Sequence, residues 1–446
     1  MRPTATLTSS ENGYLRSRII DDVRFFTKEL HAPKPFRPGE DEIPYAGQVF
    51  DGNEIAAAAD ALLNKWITMG TYTGTFEKVM ADYLGVRSSV FVNSGSSANL
   101  LALSALTSQK LGGERIKHGD EVITVAAGFP TTVNPILQCG CVPVLVDVDP
   151  ATGNVRVDQL EDAVSEKTVA VMLAHALGNP FDVDAVTFFC MKNNLWFIED
   201  NCDALGSLYH GKLTGTFGNM STQSFYPPHH ITTGEGGMVN IINDSRFGRI
   251  VTSLRDWGRD CFCDSAKINA CDKRFGQQLG ELPRGYDHRY TYSHIGFNMK
   301  ALDLQAAIGC EQMKKLPEFI AARRRNWQRM RNGLLPYEYC LELPSEQKGT
   351  VPSWFSFMLL VRPGAPFTRR ALMVDLERHK INTRMFFGGN LARQPAYLNA
   401  NMRIVGDLAG SDRMMNDAFF VGVYPGLTDE HIDYIVDTIG GFVKRA

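Results

Sequence analysis

The chain has 446 residues, of which 44% are hydrophobic and 21% are charged, and this composition is typical of a globular protein. A formal net charge of -3 gives no indication of binding to nucleic acid or to an anionic membrane surface. No apolar run reaches the roughly 18 residues of a membrane span, and the N-terminus has no apolar core of a signal peptide. We therefore expect a cytoplasmic protein.

The predicted elements begin with a lead-in at residues 1–45, which contains a helical stretch around 15–30 and a proline-rich connector. Residues 46–330 follow, and in them short apolar strands alternate with helical patterns. Strands without polar alternation are typical of parallel strands that are buried on both faces. This region therefore predicts a large α/β domain with a mostly parallel sheet.

A long helix is predicted at residues 310–335, with a kink or break at Pro317. After it, residues 331–446 again mix strand and helix patterns, enough for a small C-terminal α/β domain. Within the long helix, Arg323-Arg324-Arg325 is interpreted as a solvated helix face.

Two features of the large domain suggest a ligand site. Gly95-Ser96 lies between a strand and a helix start, where backbone N–H groups bind anions, although a serine-rich helix cap explains it equally well. Asp200 ends a buried strand, at the sheet edge where open α/β sheets bind ligands. A carboxylate there can pair with a protonated pyridine nitrogen. A helix N-cap is the alternative.

A third feature, residues 224–237, is more specific. It begins with Ser224-Phe225 and ends with Gly234-Glu235-Gly236-Gly237. With these motifs the chain resembles the DegT/DnrJ/EryC1/StrS sugar aminotransferases, fold type I enzymes that depend on pyridoxal phosphate. The resemblance covers about residues 45–446 and implies an aspartate-aminotransferase-like fold. In that family a lysine between the two motifs forms a Schiff base with the cofactor, and here its position is His229.

The resemblance also implies roles for individual residues. It places the cofactor phosphate on Gly95, Ser96 and Ser224. Phe129 would stack on the pyridine ring, and Asp200 would pair with the ring nitrogen. Near the ring hydroxyl the family has Gln or His, whereas this chain has Asp203. The last implied contact comes from the neighbouring subunit, since Asn298 would reach the partner's phosphate, and this implies a homodimer with shared active sites.

A histidine in place of lysine changes the expected chemistry, because an imidazole cannot form a Schiff base. We expect pyridoxamine phosphate bound noncovalently, with His229 as the base near neutral pH. Electrons released at the cofactor would then expel the C-3 hydroxyl of a 4-keto sugar, so that the reaction is a dehydration. Tyr226 and Phe355 are candidates for shielding the reacting groups, with core packing as the other interpretation.

Three cysteines, Cys261, Cys263 and Cys271, lie in a polar stretch at 259–286 that looks inserted. Cys202, two residues past Asp200, is the candidate fourth ligand. Spacing alone leaves both a structural zinc and an iron–sulfur cluster open. Together with His229, however, the loop resembles the CDP-6-deoxy-L-threo-D-glycero-4-hexulose-3-dehydrase family, which implies a [2Fe–2S] cluster.

That resemblance implies CDP-4-keto-6-deoxyglucose as substrate, a role in 3,6-dideoxyhexose and lipopolysaccharide O-antigen synthesis, and electrons from an NAD(P)H-dependent flavin reductase. The chain itself has no convincing GxGxxG fingerprint after a strand. Four alternatives stay open: an ordinary sugar aminotransferase, a cluster-free dehydratase, a TDP-sugar dehydrase and a noncatalytic zinc-containing scaffold. Arg384 and Arg393 are candidate diphosphate contacts, with surface solvation as their other interpretation.

Overall fold

The structure is a computed structural model that describes residues 8–31, 34–261 and 273–446. Its strands are β1 (Ser88–Val92), β2 (Glu121–Val125), β3 (Val142–Val146), β4 (Thr168–Ala174), β5 (Trp196–Asp200), β6 (Leu208–Tyr209), β7 (Lys212–Leu213), β8 (Met220–Ser224), β9 (Gly237–Ile241), β10 (Leu341–Glu342), β11 (Thr350–Val351), β12 (Ser356–Val361), β13 (Arg384–Met385), β14 (Arg403–Ile404) and β15 (Ala418–Gly422).

The α-helices are α1 (Ser9–Leu30), α2 (Gly52–Leu63), α3 (Thr71–Leu84), α4 (Gly95–Leu106), α5 (Pro130–Gln138), α6 (Val183–Lys192), α7 (Ser245–Arg255), α8 (Asp303–Leu334), α9 (Arg369–Arg378), α10 (Ala409–Asp417) and α11 (Asp429–Arg445). None of the helices in the described part of the chain has both the length and the apolar character that a bilayer crossing requires.

An eight-stranded sheet forms the centre, in the order β1-β9-β8-β5-β4-β2-β3-β14. The strands from β8 to β14 pair in parallel, whereas β9 is antiparallel to both β1 and β8. The predicted α/β fold with a mostly parallel sheet is therefore confirmed.

Successive residues of the central strands pack into two cores, one on each face of this sheet. Along β4, Val171 and Leu173 enter one core, while Ala170 and Met172 enter the other. Burial on both faces explains why these strands are apolar without alternation. Because these strands are parallel, their carboxyl ends meet at one common edge, where the site described below lies.

The C-terminal part has its own antiparallel sheet, in the order β10-β12-β15-β13. Its separate core includes Ile43 from the lead-in, which bridges to Ile381. However, β14 leaves this part and pairs in parallel with β3 at the edge of the large sheet. Arg403 of β14 anchors it with two hydrogen bonds to the Glu121 carboxylate, at 3.0 and 2.7 Å.

Helix α8 differs from its prediction in two ways. It runs without interruption through Pro317, because Leu316, Phe319 and Ile320 bury one face of the helix in a core around α3. The predicted break is therefore wrong. The solvated arginine face is also wrong for Arg323, which is only 1% exposed, although Arg325 is exposed as predicted.

Candidate active site

A pocket of about 550 Å³ opens at the carboxyl ends of β2, β4, β5 and β8. Strand ends and the loops after them supply most of its lining, as expected for an open α/β sheet. It brings together eleven candidate residues of the sequence analysis: Gly95, Ser96, Phe129, Asp200, Cys202, Asp203, Ser224, Tyr226, His229, Phe355 and Arg384.

The anion cradle of this pocket is the N-terminus of α4. Ser94 caps the helix, accepting a hydrogen bond from Ser97 N at 3.0 Å. Gly95 lies so close to β8 that a Cβ built on it would stand 2.4 Å from Cβ of Ser224. A glycine therefore lets the first N–H groups of α4 and the Ser224 hydroxyl converge on one point, which suits a phosphate group.

Asp200 is held at the end of β5 by a buried network. Its Oδ2 accepts hydrogen bonds from Asn99 Nδ2 at 2.8 Å and Thr132 Oγ1 at 2.7 Å. The Thr222 hydroxyl donates to Asn99 Oδ1 at 2.6 Å, which fixes the orientation of the Asn99 amide. Oδ1 of Asp200 accepts from Cys202 N at 3.2 Å. The carboxylate is thereby oriented to accept one further donor, such as a pyridinium N–H.

His229 lies in the turn after β8, with Asp203 beside it. Nδ1 of His229 is 3.4 Å from Oδ1 of Asp203, which is close enough for an ion pair, but the two groups are misaligned for a hydrogen bond. Phe355 packs against the imidazole, with ring centroids 5.3 Å apart. The imidazole is thus confined between a carboxyl group and an aromatic ring.

The buried setting shifts both ionisable groups of this pair towards their neutral forms. Burial, and after it the positive charge of Arg323, lowers the pKa of His229 to about 4. Burial, and after it the nearby Asp200 carboxylate, raises the pKa of Asp203 to about 8. At neutral pH the imidazole therefore has a free lone pair and can accept a proton.

The aromatic candidates differ in exposure. Phe129 is 53% exposed at the start of α5, where it packs edge-on against Phe387. Tyr226 is 48% exposed and lines the pocket, whereas Phe355 is buried. Phe129 and Tyr226 therefore keep surface free for a ligand.

These features fit pyridoxamine phosphate. The cradle at Gly95 suits the phosphate, Asp200 suits the ring nitrogen, and the buried Nδ1 of His229 has no hydrogen-bond partner among the described residues. None of the described side chains that line the pocket is a lysine, so the noncovalent amine form of the cofactor fits this donor set.

Asn298 is not among the residues that line this pocket, and its predicted contact with a partner's phosphate stays a prediction. It bridges to Asp256, and its Oδ1 accepts a hydrogen bond from Lys300 Nζ at 2.8 Å. The Lys300 ammonium stacks on the Trp257 ring, 3.2 Å from its centroid. Asn298 is therefore presented on a surface that also carries a cation.

Of the four predicted metal ligands, the structure describes Cys202 and Cys261. Cys202 lines the pocket, with its Sγ 4.0 Å from Thr222 Oγ1, and burial raises the pKa of its thiol. Cys261 is a free thiol beside Asp260, which pairs with Lys110 at 2.6 Å. Cys263 and Cys271 lie outside the described residues. Within residues 8–31, 34–261 and 273–446, no cluster of three metal-ligating side chains forms.

Sequence reasoning missed three residues of this site: Asn99, Thr132 and Arg323. Asn99 and Thr132 lie on α4 and α5 and meet only at Asp200. The only sequence feature that could have indicated them is their position near the start of a helix, α4 for Asn99 and α5 for Thr132. Arg323 carries no local signal, because its neighbours on α8 are also arginines.

Comparison with known proteins identifies several similar chains. The model of the DegT/DnrJ/EryC1/StrS aminotransferase family matches residues 49–440. The lipopolysaccharide biosynthesis protein RfbH of Salmonella typhimurium is 48% identical over 428 residues, 96% of this chain and 98% of that protein. The dTDP-4-dehydro-2,6-dideoxy-D-glucose 3-dehydratase of Saccharopolyspora spinosa is 49% identical over 431 residues, 97% of this chain and 93% of that protein.

A solved structure agrees with these matches. The GDP-4-keto-6-deoxy-D-mannose-3-dehydratase of E. coli, determined with bound hydrated PLP, superimposes with a TM-score of 0.81 and 28% identity. The match covers 89% of this chain and 99% of that one.

Proposed function

The chain belongs to the DegT/DnrJ/EryC1/StrS aminotransferase family, and on that premise we propose that it is a pyridoxamine-phosphate-dependent 3-dehydratase of a nucleotide-linked 4-keto-6-deoxy sugar. The observation that carries the proposal is the part-buried His229, which replaces the family's lysine in a pocket where no described lining residue is a lysine. An aminotransferase of this family needs that lysine, whereas a dehydratase needs only a base.

The cofactor, when bound, supplies an amine that condenses with the sugar ketone and a ring that accepts an electron pair. The N-terminus of α4 and Ser224 bind the phosphate. Asp200 keeps the ring nitrogen protonated, and Asn99 and Thr132 hold its carboxylate in place. These residues orient the cofactor without forming a covalent bond to it.

With the cofactor bound, His229 would take the proton from its C4′ carbon, and the C-3 hydroxyl of the sugar, once protonated, would leave as water. The imidazolium that forms lies 3.4 Å from Oδ1 of the Asp203 carboxyl group, an oxygen that would face the added charge. Phe355, buried against the imidazole, keeps water from its inner face. The same histidine can return a proton later in the reaction.

Arg384 is proposed to bind the diphosphate of the substrate. It lines the pocket mouth, its guanidinium lies 4.1 Å from the centroid of the Tyr45 ring, and it forms no ion pair with carboxylates of the described residues. Nη1 of Arg384 donates to the Thr383 carbonyl at 2.7 Å, which leaves the other N–H groups of the guanidinium for phosphate oxygens. Arg393, in contrast, is paired with Asp412 at 3.0 Å.

The finer part of the proposal concerns reduction. Cys202, Cys261, Cys263 and Cys271 would hold a [2Fe–2S] cluster, whose chemistry would be the relay of single electrons from an NAD(P)H-dependent flavin reductase. The support is the resemblance of the cysteine spacing, together with the free thiols of Cys202 and Cys261. The proposed substrate is CDP-linked, in a homodimer with shared sites.

Anaerobic turnover of CDP- and TDP-4-keto-6-deoxyglucose with added pyridoxamine phosphate tests this function. We expect loss of the C-3 hydroxyl, and a reduced 3-deoxy product only when a flavin reductase is present. Visible iron–sulfur absorbance should accompany it. Dehydration with no need for a reductase would refute the redox part alone, and amino-sugar formation would refute the whole proposal.

His229→Asn tests the role of His229 most directly, because asparagine keeps a polar side chain but cannot take the proton. We expect proton exchange at C4′ of the cofactor to be abolished while pyridoxamine phosphate binding changes by no more than a few-fold. The exposed His210→Asn is the matched control. If His229→Asn exchanged the proton at the wild-type rate, His229 would not be the base.

A further inference from the structure

Arg323 is a buried cation without a carboxylate partner. It lies in the middle of α8 and is 1% exposed. Its guanidinium donates to the carbonyls of Trp354 at 3.2 Å and Phe355 at 3.0 Å, and to those of Pro228 at 3.0 Å and His229 at 2.9 Å. Among the described residues it forms no ion pair, and its Nε has no hydrogen-bond partner.

A charge in this position is costly for the fold, since burial of an unpaired cation opposes folding strongly. Packing alone would favour an apolar side chain. The four acceptors explain what the arginine does instead. Two belong to the turn that carries His229, and two belong to the segment that enters β12 and carries Phe355. The guanidinium therefore joins the two segments that enclose the imidazole.

We propose that Arg323 is the positioning residue of His229, because its guanidinium ties the main chain of His229 to the main chain of Phe355, the ring that packs against the imidazole. This role rests on the proposed function of His229 as a base. Arg323 touches neither cofactor nor substrate and acts only through the histidine.

Two variants separate geometry from charge. Arg323→Lys keeps the charge but loses the planar fork that reaches four carbonyls. Arg323→Met loses both the fork and the charge. Arg325→Lys is the matched control on the same helix, because the Arg325 side chain is exposed.

The first measurement is NMR of ¹³C-labelled histidine in the full chain without added cofactor, with the His229 signal identified by its loss in His229→Asn. We expect the His229 signal to move to a different chemical shift in both Arg323→Lys and Arg323→Met, because the turn that carries it is no longer tied to Phe355, and to stay at the wild-type position in Arg325→Lys. A His229 signal at the same position in wild type and Arg323→Met would overturn the positioning role.

The second measurement is the pH dependence of C4′ proton exchange with pyridoxamine phosphate. We expect Arg323→Lys and Arg323→Met each to lower the rate at least tenfold at all pH values, and Arg325→Lys to leave it unchanged. An Arg323→Lys rate within twofold of wild type would overturn the positioning role. Absence of exchange in wild type would refute the proposed function, while the NMR comparison would still decide whether Arg323 positions His229.

Discussion

The substitution Gly95→Ala should move the N-terminus of α4, the proposed phosphate site, away from Ser224 at the end of β8. A Cβ on this residue would lie 2.4 Å from Cβ of Ser224 and 2.7 Å from its Oγ. Non-bonded carbon atoms prefer separations of about 3.5–4.0 Å. Gly95→Ala therefore forces α4 and β8 apart by roughly 1 Å at the proposed phosphate position.

The magnitude follows from the contacts that this movement disrupts. Overpacking of this kind costs about 1–3 kcal/mol of folding stability. A hydrogen bond to a charged group contributes about 1.5–3 kcal/mol, and each 1.4 kcal/mol is tenfold in affinity. Loss of one N–H contact to the phosphate should weaken pyridoxamine phosphate binding by about ten- to a hundredfold.

Calorimetric titration of the variant with pyridoxamine phosphate measures this effect. Gly74→Ala is the matched control, since Gly74 lies within α3 and a Cβ there meets no atom within 4 Å. That change should leave binding unaltered and raise stability by about 0.5–1 kcal/mol. If Gly95→Ala bound the cofactor within twofold of wild type, the N-terminus of α4 would not be the phosphate site.

Two further predictions concern charge. Because burial raises the pKa of Asp203 from 3.8 to about 8, ionisation of this carboxyl in the unfolded chain favours unfolding as the pH rises between these values. Asp203→Asn should therefore gain stability over wild type across that range, by up to about 5 kcal/mol in urea unfolding; a gain that is the same at about pH 5 and pH 8 would contradict this. Arg384→Ala should raise KM for the nucleotide sugar by about tenfold or more, with a smaller change in kcat. Steady-state kinetics measures both constants, and Arg393→Ala is the comparison variant. An equal rise in KM in Arg393→Ala would contradict a diphosphate contact specific to Arg384.

The family and the fold could be predicted from the sequence, and both are confirmed. The prediction worked because the motifs at Gly95, Asp200 and Ser224 follow strand ends, and parallel strands direct their carboxyl ends to one edge. Local sequence therefore determined which residues would meet. The roles assigned to those residues remain predictions.

The surroundings of His229 could not be predicted, because they depend on contacts between distant segments. Arg323 has the same neighbours in sequence as an exposed arginine, and only the packing of α8 against the turn after β8 buries it. The prediction of a helix break at Pro317 was wrong for a related reason. The local preference of proline to interrupt a helix was overridden by core packing of Leu316, Phe319 and Ile320.

The short strand β14 has a practical consequence for dividing the protein. Because Arg403 and Ile404 cover β3, a fragment that stopped at residue 330 would expose the backbone N–H and C=O groups of a flat, apolar strand. Uncovered edges of this kind recruit other chains and promote self-association. Recombinant production of the cofactor-binding half alone would therefore require a redesigned β3, or co-expression with the remaining chain as a complementing fragment.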